Sequence, residues 1–385
     1  MNYCKKGDAV LLDSLTEVKK ELKKKMKKKS VCLPSLSEHD KKCIEHIKEK
    51  TRQLNQNNVT RTQAYFKFYL QYPEIHWALL GHMISRNVGW NMTDLKGELL
   101  TKLLSEKEQL AFFTFLERGS WLIFQDIYSQ FLIYDLGVRR GKEMFHLLPF
   151  FHTSTFMETM WRYFWRSGDR YTLAIAMVIN EQSYLEKRLI QNDRLQKNVT
   201  GTVGFKMYEF LRLNNILFPY YPGGKEQKAS LVGATSRQFT SLHKRILFGK
   251  NLYSLLFQRG EILEGVLKWA HGSPHTGSRK DYWPDLFNDI NESYPRALYK
   301  RRVKNCLLKK DANRLYSPPL KYAWPAASHD DRSEEDWFED WSVMEYLKGE
   351  ANFDGEILTS YCKTFETIEL AVMAKEALLL REDGT

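Results

Sequence analysis

A chain of 385 residues, 43% hydrophobic and carrying 22 Phe, 20 Tyr and 10 Trp, holds material for two average domains or one large one with an aromatic core. Its longest apolar stretch, residues 173–179, is too short for a membrane span, and Val10-Leu11-Leu12 is too short for a secretory h-region. The formal charge of +11 is concentrated at one end, where residues 1–29 set ten lysines against Asp8, Asp13, Glu17 and Glu21 for a net of +6.

The cysteines, Cys4, Cys32, Cys43, Cys306 and Cys362, are odd in number, scattered and never spaced C-x-x-C. That pattern predicts neither a disulfide framework nor a zinc knuckle and points to a reducing, cytoplasmic compartment.

In chain order, residues 1–35 read as a basic amphipathic arm. Leu11, Leu15, Val18, Leu22 and Met26 form a narrow apolar stripe. Lys19, Lys20, Lys23, Lys24, Lys25, Lys27, Lys28 and Lys29 cover the rest of the circumference. Such a helix suits an anionic membrane surface, nucleic acid or an acidic protein, with a solvated, fraying tail as the plain alternative.

Residues 36–316 read as a helical core. Capping boxes recur at Ser14/Glu17, Thr60/Gln63, Asn91/Asp94, Ser105/Glu108, Thr155/Glu158 and Ser333/Asp336. Thr60 opens a helix ending near Tyr72. A second starts at Pro73 and stops at Gly89, and Asn91 caps a third onto which Trp90 staples against Leu95. Long helices follow over 120–136 and 169–191, a turn over 218–224, and helical spacing over 236–269. Residues 317–333 form a proline-containing extended linker, and residues 334–385 supply C-terminal helices near 334–348 and 362–381. The fold class predicted is all-α, an irregular multi-helix bundle with long loops and little or no sheet.

Three blocks carry a resemblance: Asn58-Val-Thr-Arg-Thr-Gln-Ala-Tyr, the run from His76-Trp-Ala-Leu-Leu-Gly-His through Ser85-Arg-Asn to Gly89-Trp-Asn-Met-Thr-Asp-Leu, and Tyr282-Trp-Pro-Asp-Leu-Phe. Together they resemble the YppC-like family of unknown function from Bacillus-type proteins, over most of the chain after about residue 55. The resemblance implies no activity, cofactor or site residue.

Among the chemistry-bearing residues, the helix over 74–88 is the most informative. Trp77, Leu80, Gly81, Ile84 and Val88 share one face, and His82, Ser85 and Arg86 make a polar stripe. His82 and Arg86, one turn apart, are candidates to bind an anion, with His76 and Asn87 beside them. The bland alternative pairs Arg86 with a core carboxylate and His82 with a backbone carbonyl. His76 and His82 lie six residues apart, the wrong spacing for shared metal ligation. The 271–281 loop adds His271, His275, Ser278 and Arg279 as ligand-binding candidates or an ordinary solvated loop. Lys225, after Pro222-Gly-Gly, is a further ligand-binding candidate, although Glu226 after it departs from the Walker pattern. Asp126, Glu158 and Glu181 interrupt apolar helical runs and read as partners for Arg86, Arg162 or Arg188. The basic run at 296–314 is expected to face the acidic segment at 330–340. No metal or cofactor motif is assembled.

Three functions remain open at this level: a helical scaffold whose arm contacts an anionic surface, a hydrolase or transferase with a pocket around His82 and Arg86, and a non-specific nucleic-acid-associated protein.

Overall fold

The computed structural model describes residues 3–27, 35–191, 215–224, 228–236, 240–292, 298–330, 335–339, 341–349, 351, 353 and 355–382. Lys28, Lys29, Lys225, Ser333 and the Leu11 side chain lie outside them.

Helix dominates. The first half comprises α1 (Tyr3–Lys27), α2 (Glu38–Leu54), α3 (Asn58–Gln71), α4 (His76–Asp94), the single turn α5 (Leu100–Leu103), α6 (Glu106–Arg140), α7 (Thr155–Ser167) and α8 (Arg170–Leu185). The second half holds the antiparallel hairpin of β1 (Asn215–Tyr220) and β2 (Ser230–Thr235), then α9 (Leu242–Phe257) and α10 (Gly260–Gly272). Two-residue ladders follow, β3 (Phe287–Asn288) with β6 (Leu315–Tyr316) and β4 (Val303–Lys304) with β5 (Leu307–Leu308). The turn α11 (Leu320–Ala323) and the helix α12 (Leu358–Glu382) complete the order. The protein is mainly α, as its sequence predicts. Among the described residues no helix is long and apolar enough to cross a membrane.

The core is organised around α8. Its residues 173–180 are all at most 2% exposed, because the helix is apolar on every side and α4, α6, α7 and α9 surround it. The 173–179 run, too short to cross a bilayer, is therefore the axis of the bundle. Gly249 sets how close α9 comes: a Cβ there would stand 2.5 Å from Val178 Cγ1, so no other residue permits this approach without a shift.

The apolar stripe of α1 is a packing face. Leu15, Val18 and Leu22 are buried against α7, and Lys25 pairs with Glu158 at 3.0 Å. Arg166 reaches Glu21 at 3.4 Å. Lys19, Lys20, Lys23, Lys24 and Lys27 point to solvent.

Several helix boundaries differ from the sequence reading. Asn57, not Thr60, caps α3, and Thr60 is the third-position partner that closes its box. Pro73 and Glu74 form a turn, and α4 begins at His76. That helix then runs through Gly89 to Asp94, so Gly89 is no helix stop and Asn91 no cap. The reason is spatial. A Cβ at Gly89 would collide with Asn58 Oδ1 and His275 Nε2, and the glycine is there to let that pair cross the helix. Ser14 lies inside the continuous α1, and Ser154 rather than Thr155 caps α7. Ser105/Glu108 does form a full capping box, and it opens α6 fourteen residues before the 120–136 stretch that the pattern marked.

Two pairings also differ. Cys306 and Cys362 form a disulfide with Cα atoms 5.0 Å apart, tying the β4–β5 turn to α12, where the sequence predicted unpaired cysteines. Spacing along the chain does not reveal a bond across 56 residues. The described residues of the basic segment near 300 and of the acidic one near 335 are seen with other partners. Arg302 pairs with Glu98 and Arg301 with Glu366, while Glu339 takes Lys187 at 2.8 Å and Asp336 accepts the Thr155 N–H at 2.9 Å.

Candidate functional site

The polar stripe of α4 enters a sealed cluster. His82 is 2% and Arg86 1% exposed. Arg86 Nε donates to His82 Nε2 at 3.1 Å, which fixes the proton on Nδ1, and Nδ1 donates to the Thr62 carbonyl at 2.8 Å. His82 is thus a neutral imidazole stacked 4.6 Å from Phe66. Burial, and then the Arg86 charge, push its pKa well below the ordinary value.

Arg86 has no carboxylate within ion-pair distance among the described residues. Its guanidinium lies 4.4 Å over the Trp269 ring, and Nη2 donates to the Ser273 carbonyl. Burial lowers its pKa to about 10, with Asp281 acting against the shift from a distance. In place of a directly paired carboxylate, a ring face, an imidazole and a carbonyl surround the guanidinium.

The 271–281 loop closes over this helix. His275 Nε2 meets Asn58 Oδ1 at 2.8 Å, and Nδ1 stands 3.4 Å from Asp281 Oδ2 without good hydrogen-bond geometry. Asn58 donates onward to the Ser85 carbonyl at 2.9 Å and hydroxyl at 3.2 Å. Burial would raise the Asp281 carboxyl, but His275 and Thr276 outweigh it and hold it low. Burial is the main cause that lowers His275.

The other sequence candidates separate. His76 stacks 4.1 Å from Phe257 and meets the Tyr253 hydroxyl at 2.9 Å, with burial and Arg170 lowering its pKa to about 4. Asn87 clamps β1, donating to the Leu217 carbonyl and accepting its N–H, each at 2.8 Å. His271 is exposed at the end of α10. Ser278 donates to the Ser317 carbonyl at 2.6 Å. Arg279 is a hub: it grips Asp94, Asn91 and the hydroxyls of Tyr282 and Tyr361. Asn91 and Asp94, read as cap and box, are therefore its partners.

A cavity of about 510 Å³ of empty space lies against Arg279 and Asp94, and a larger one lies elsewhere. Between α4, α6, α8 and α9 is an apolar chamber of about 1310 Å³ of empty space, mouth included. Ile84, Val88, Phe115, Ile123, Val178 and Leu252 form its walls, with Glu181, Gln182 and Arg245 among its polar lining. A smaller annex of about 370 Å³ shares Ile84, Val88, Ser120, Ile123 and Glu181 with it and adds Arg61, Tyr65, Trp77 and Ser85. Asp126, on α6, is bound by Asn180 and Gln130, and Glu158 by Arg162, as an interior carboxylate requires. Glu181 is different. It is 7% exposed, Gln182 donates to it at 3.0 Å, and Arg245 pairs with Glu186 instead. Burial drives its pKa up to about 7, against Trp77, Gln182 and Arg245, which lower it. A carboxyl that is half protonated near neutrality thus faces an apolar volume.

The sequence signal for Glu181 is its position in the apolar run of α8, a pattern that reads as a salt-bridge partner; Arg245, the arginine beside it, pairs with Glu186. Trp77 was placed on an apolar face, which is correct, with no sign that its N–H would lack an acceptor.

A mainly helical protein with a sealed polar cluster and a separate apolar chamber is the class that this geometry defines. The chain belongs to a family of proteins of unknown function, DUF2515, whose model matches residues 53–356. Over 241 residues it is 40% identical to uncharacterized protein YppC of Bacillus subtilis (strain 168), which covers 63% of this chain and 73% of that protein. No solved structure matches it.

Proposed function

We propose that this chain is a binding protein for an elongated apolar small molecule, held in the chamber between α4, α6, α8 and α9. One observation carries this: an apolar space partly open to solvent has a single carboxyl in its lining, the buried and protonatable Glu181. The hydrolase or transferase reading loses support, because His82 and Arg86 bond to one another and neither lines the chamber. Titration with N-phenyl-1-naphthylamine tests the proposal. Saturable binding near one per chain is expected, and Ser120→Phe, which fills the junction of chamber and annex, should abolish it. Absence of saturable binding, or equal binding by Ser120→Phe, would overturn it.

Contact with an anionic surface is a second proposal, supported by α1, whose apolar stripe is used internally while five lysines face outward. Co-sedimentation with anionic vesicles that does not weaken with salt would remove it. Cytoplasmic placement is likewise a proposal, and the Cys306–Cys362 bond counts against it, since glutathione and thioredoxin keep cytosolic thiols reduced. A free-thiol count on protein taken directly from cells decides between them.

A further inference from the structure

The annex has donors to spare. Trp77 Nε1 and Arg61 Nε are buried, at 2% and 1% residue exposure, and have no hydrogen-bond partner of good geometry among the described residues. Both residues line the annex. The Trp77 indole is near enough to Glu181 to favour its charged form but does not aim its N–H well at it. The rest of the Arg61 guanidinium is committed, to Glu117 at 2.5 Å and Asn55 at 3.1 Å. Buried N–H groups are nearly always paired, so two unmet ones on residues that line one cavity mark the place of a missing acceptor.

We infer that the chamber takes a long-chain carboxylic acid, with its alkyl chain along the apolar walls and its carboxyl group in the annex, against Trp77 Nε1, Arg61 Nε and Glu181. This deepens the binding reading above and rests on it. The chemistry of the head group follows from what each candidate brings. A carboxyl group brings two acceptor oxygens for two unmet donors, and Glu181 in its protonated form donates a further hydrogen bond. Glu181 and the ligand then share one proton and carry one negative charge between them, beside the Arg61 cation. An alcohol oxygen can accept from both donors through its two lone pairs, but it brings no negative charge to set beside the Arg61 cation. An amine brings only donors when charged, and sets a second cation beside Arg61.

The test compares three probes of one chain length on the full protein by displacement of N-phenyl-1-naphthylamine: hexadecanoate, hexadecanol and hexadecylamine. Hexadecanoate is expected to bind at least tenfold tighter than either of the others. Trp77→Phe, which keeps the ring and removes the N–H, should weaken hexadecanoate about tenfold and leave hexadecylamine unchanged. If the alcohol or the amine equals or exceeds the acid, the head-group assignment falls while the chamber stands. If none of the three displaces the fluorophore, the chamber reading falls with it. Should Trp77→Phe fail to fold, the wild-type series alone decides.

Discussion

Arg279→Met is expected to cost about 3–5 kcal/mol of stability, read as a lower urea midpoint at unchanged slope. Arg279 ties its own segment to α4 and α12. Its Nε and Nη2 hold Asp94 at the end of α4, at 2.7 and 2.6 Å, and Nη2 also reaches Asn91 at 3.1 Å. Nη1 donates to Tyr282 of the following segment at 2.7 Å and to Tyr361 of α12 at 2.6 Å. Methionine fills similar volume but leaves the Asp94 carboxylate, 18% exposed, without its cation and two tyrosine hydroxyls without a shared donor. Burial alone would lower the Arg279 pKa; Asp94 and the two tyrosines more than reverse that, so the charge is held in place by the fold. Arg279→Lys should recover part of the loss, since an ammonium keeps the charge but not the fork. A change below about 1 kcal/mol for Arg279→Met would mean that the hub is redundant.

Glu181→Gln is expected to stabilise the empty protein in a pH-dependent way. The Glu181 pKa is about 7 in the folded chain and 4.5 in the unfolded reference, so between those values the folded state binds more protons. Stability from this group is therefore complete below pH 4.5, falls as pH rises, and the full penalty stands above pH 7. That difference corresponds to about 3 kcal/mol. The glutamine variant carries no such penalty, so its advantage should reach about 3 kcal/mol at pH 8 and shrink to about 1 kcal/mol at pH 5. His82 and His275 move the other way, losing stability as pH falls below 6.5, and they do so equally in both proteins. The difference between variant and wild type thus isolates Glu181. An advantage that does not change between pH 5 and 8 would show that its carboxyl is charged throughout.

Much of the helical architecture was legible because helices announce themselves locally. Asp169, where the pattern starts a helix, is the cap of α8, and Gly168 before it is the left-handed residue closing α7. The apolar α4 with a polar stripe is also as expected, and His82 meets a backbone carbonyl as the plain alternative had it. The errors have one physical source. Gly89, Asn91 and Asp94 carry the residue types of a helix stop and restart, but a His275–Asn58 pair and Arg279 explain them, and both partners come from far along the chain. The Cys306–Cys362 bond and the Asn87 clamp on Leu217 are hidden for the same reason. The chamber is harder still. Ile84, Val88, Ile123 and Val178 have ordinary apolar spacing, and a wall lining space has the same sequence pattern as a wall lining a core.

The central claim is that this space holds a ligand, and the position of a bound chain tests it most directly. Co-crystals with 16-bromohexadecanoate should place the bromine, by anomalous scattering, among the apolar walls between α6 and α9, with the carboxyl group within hydrogen-bonding distance of Trp77 Nε1. Bromine found only on the outer surface, with the chamber filled by side chains, would contradict it.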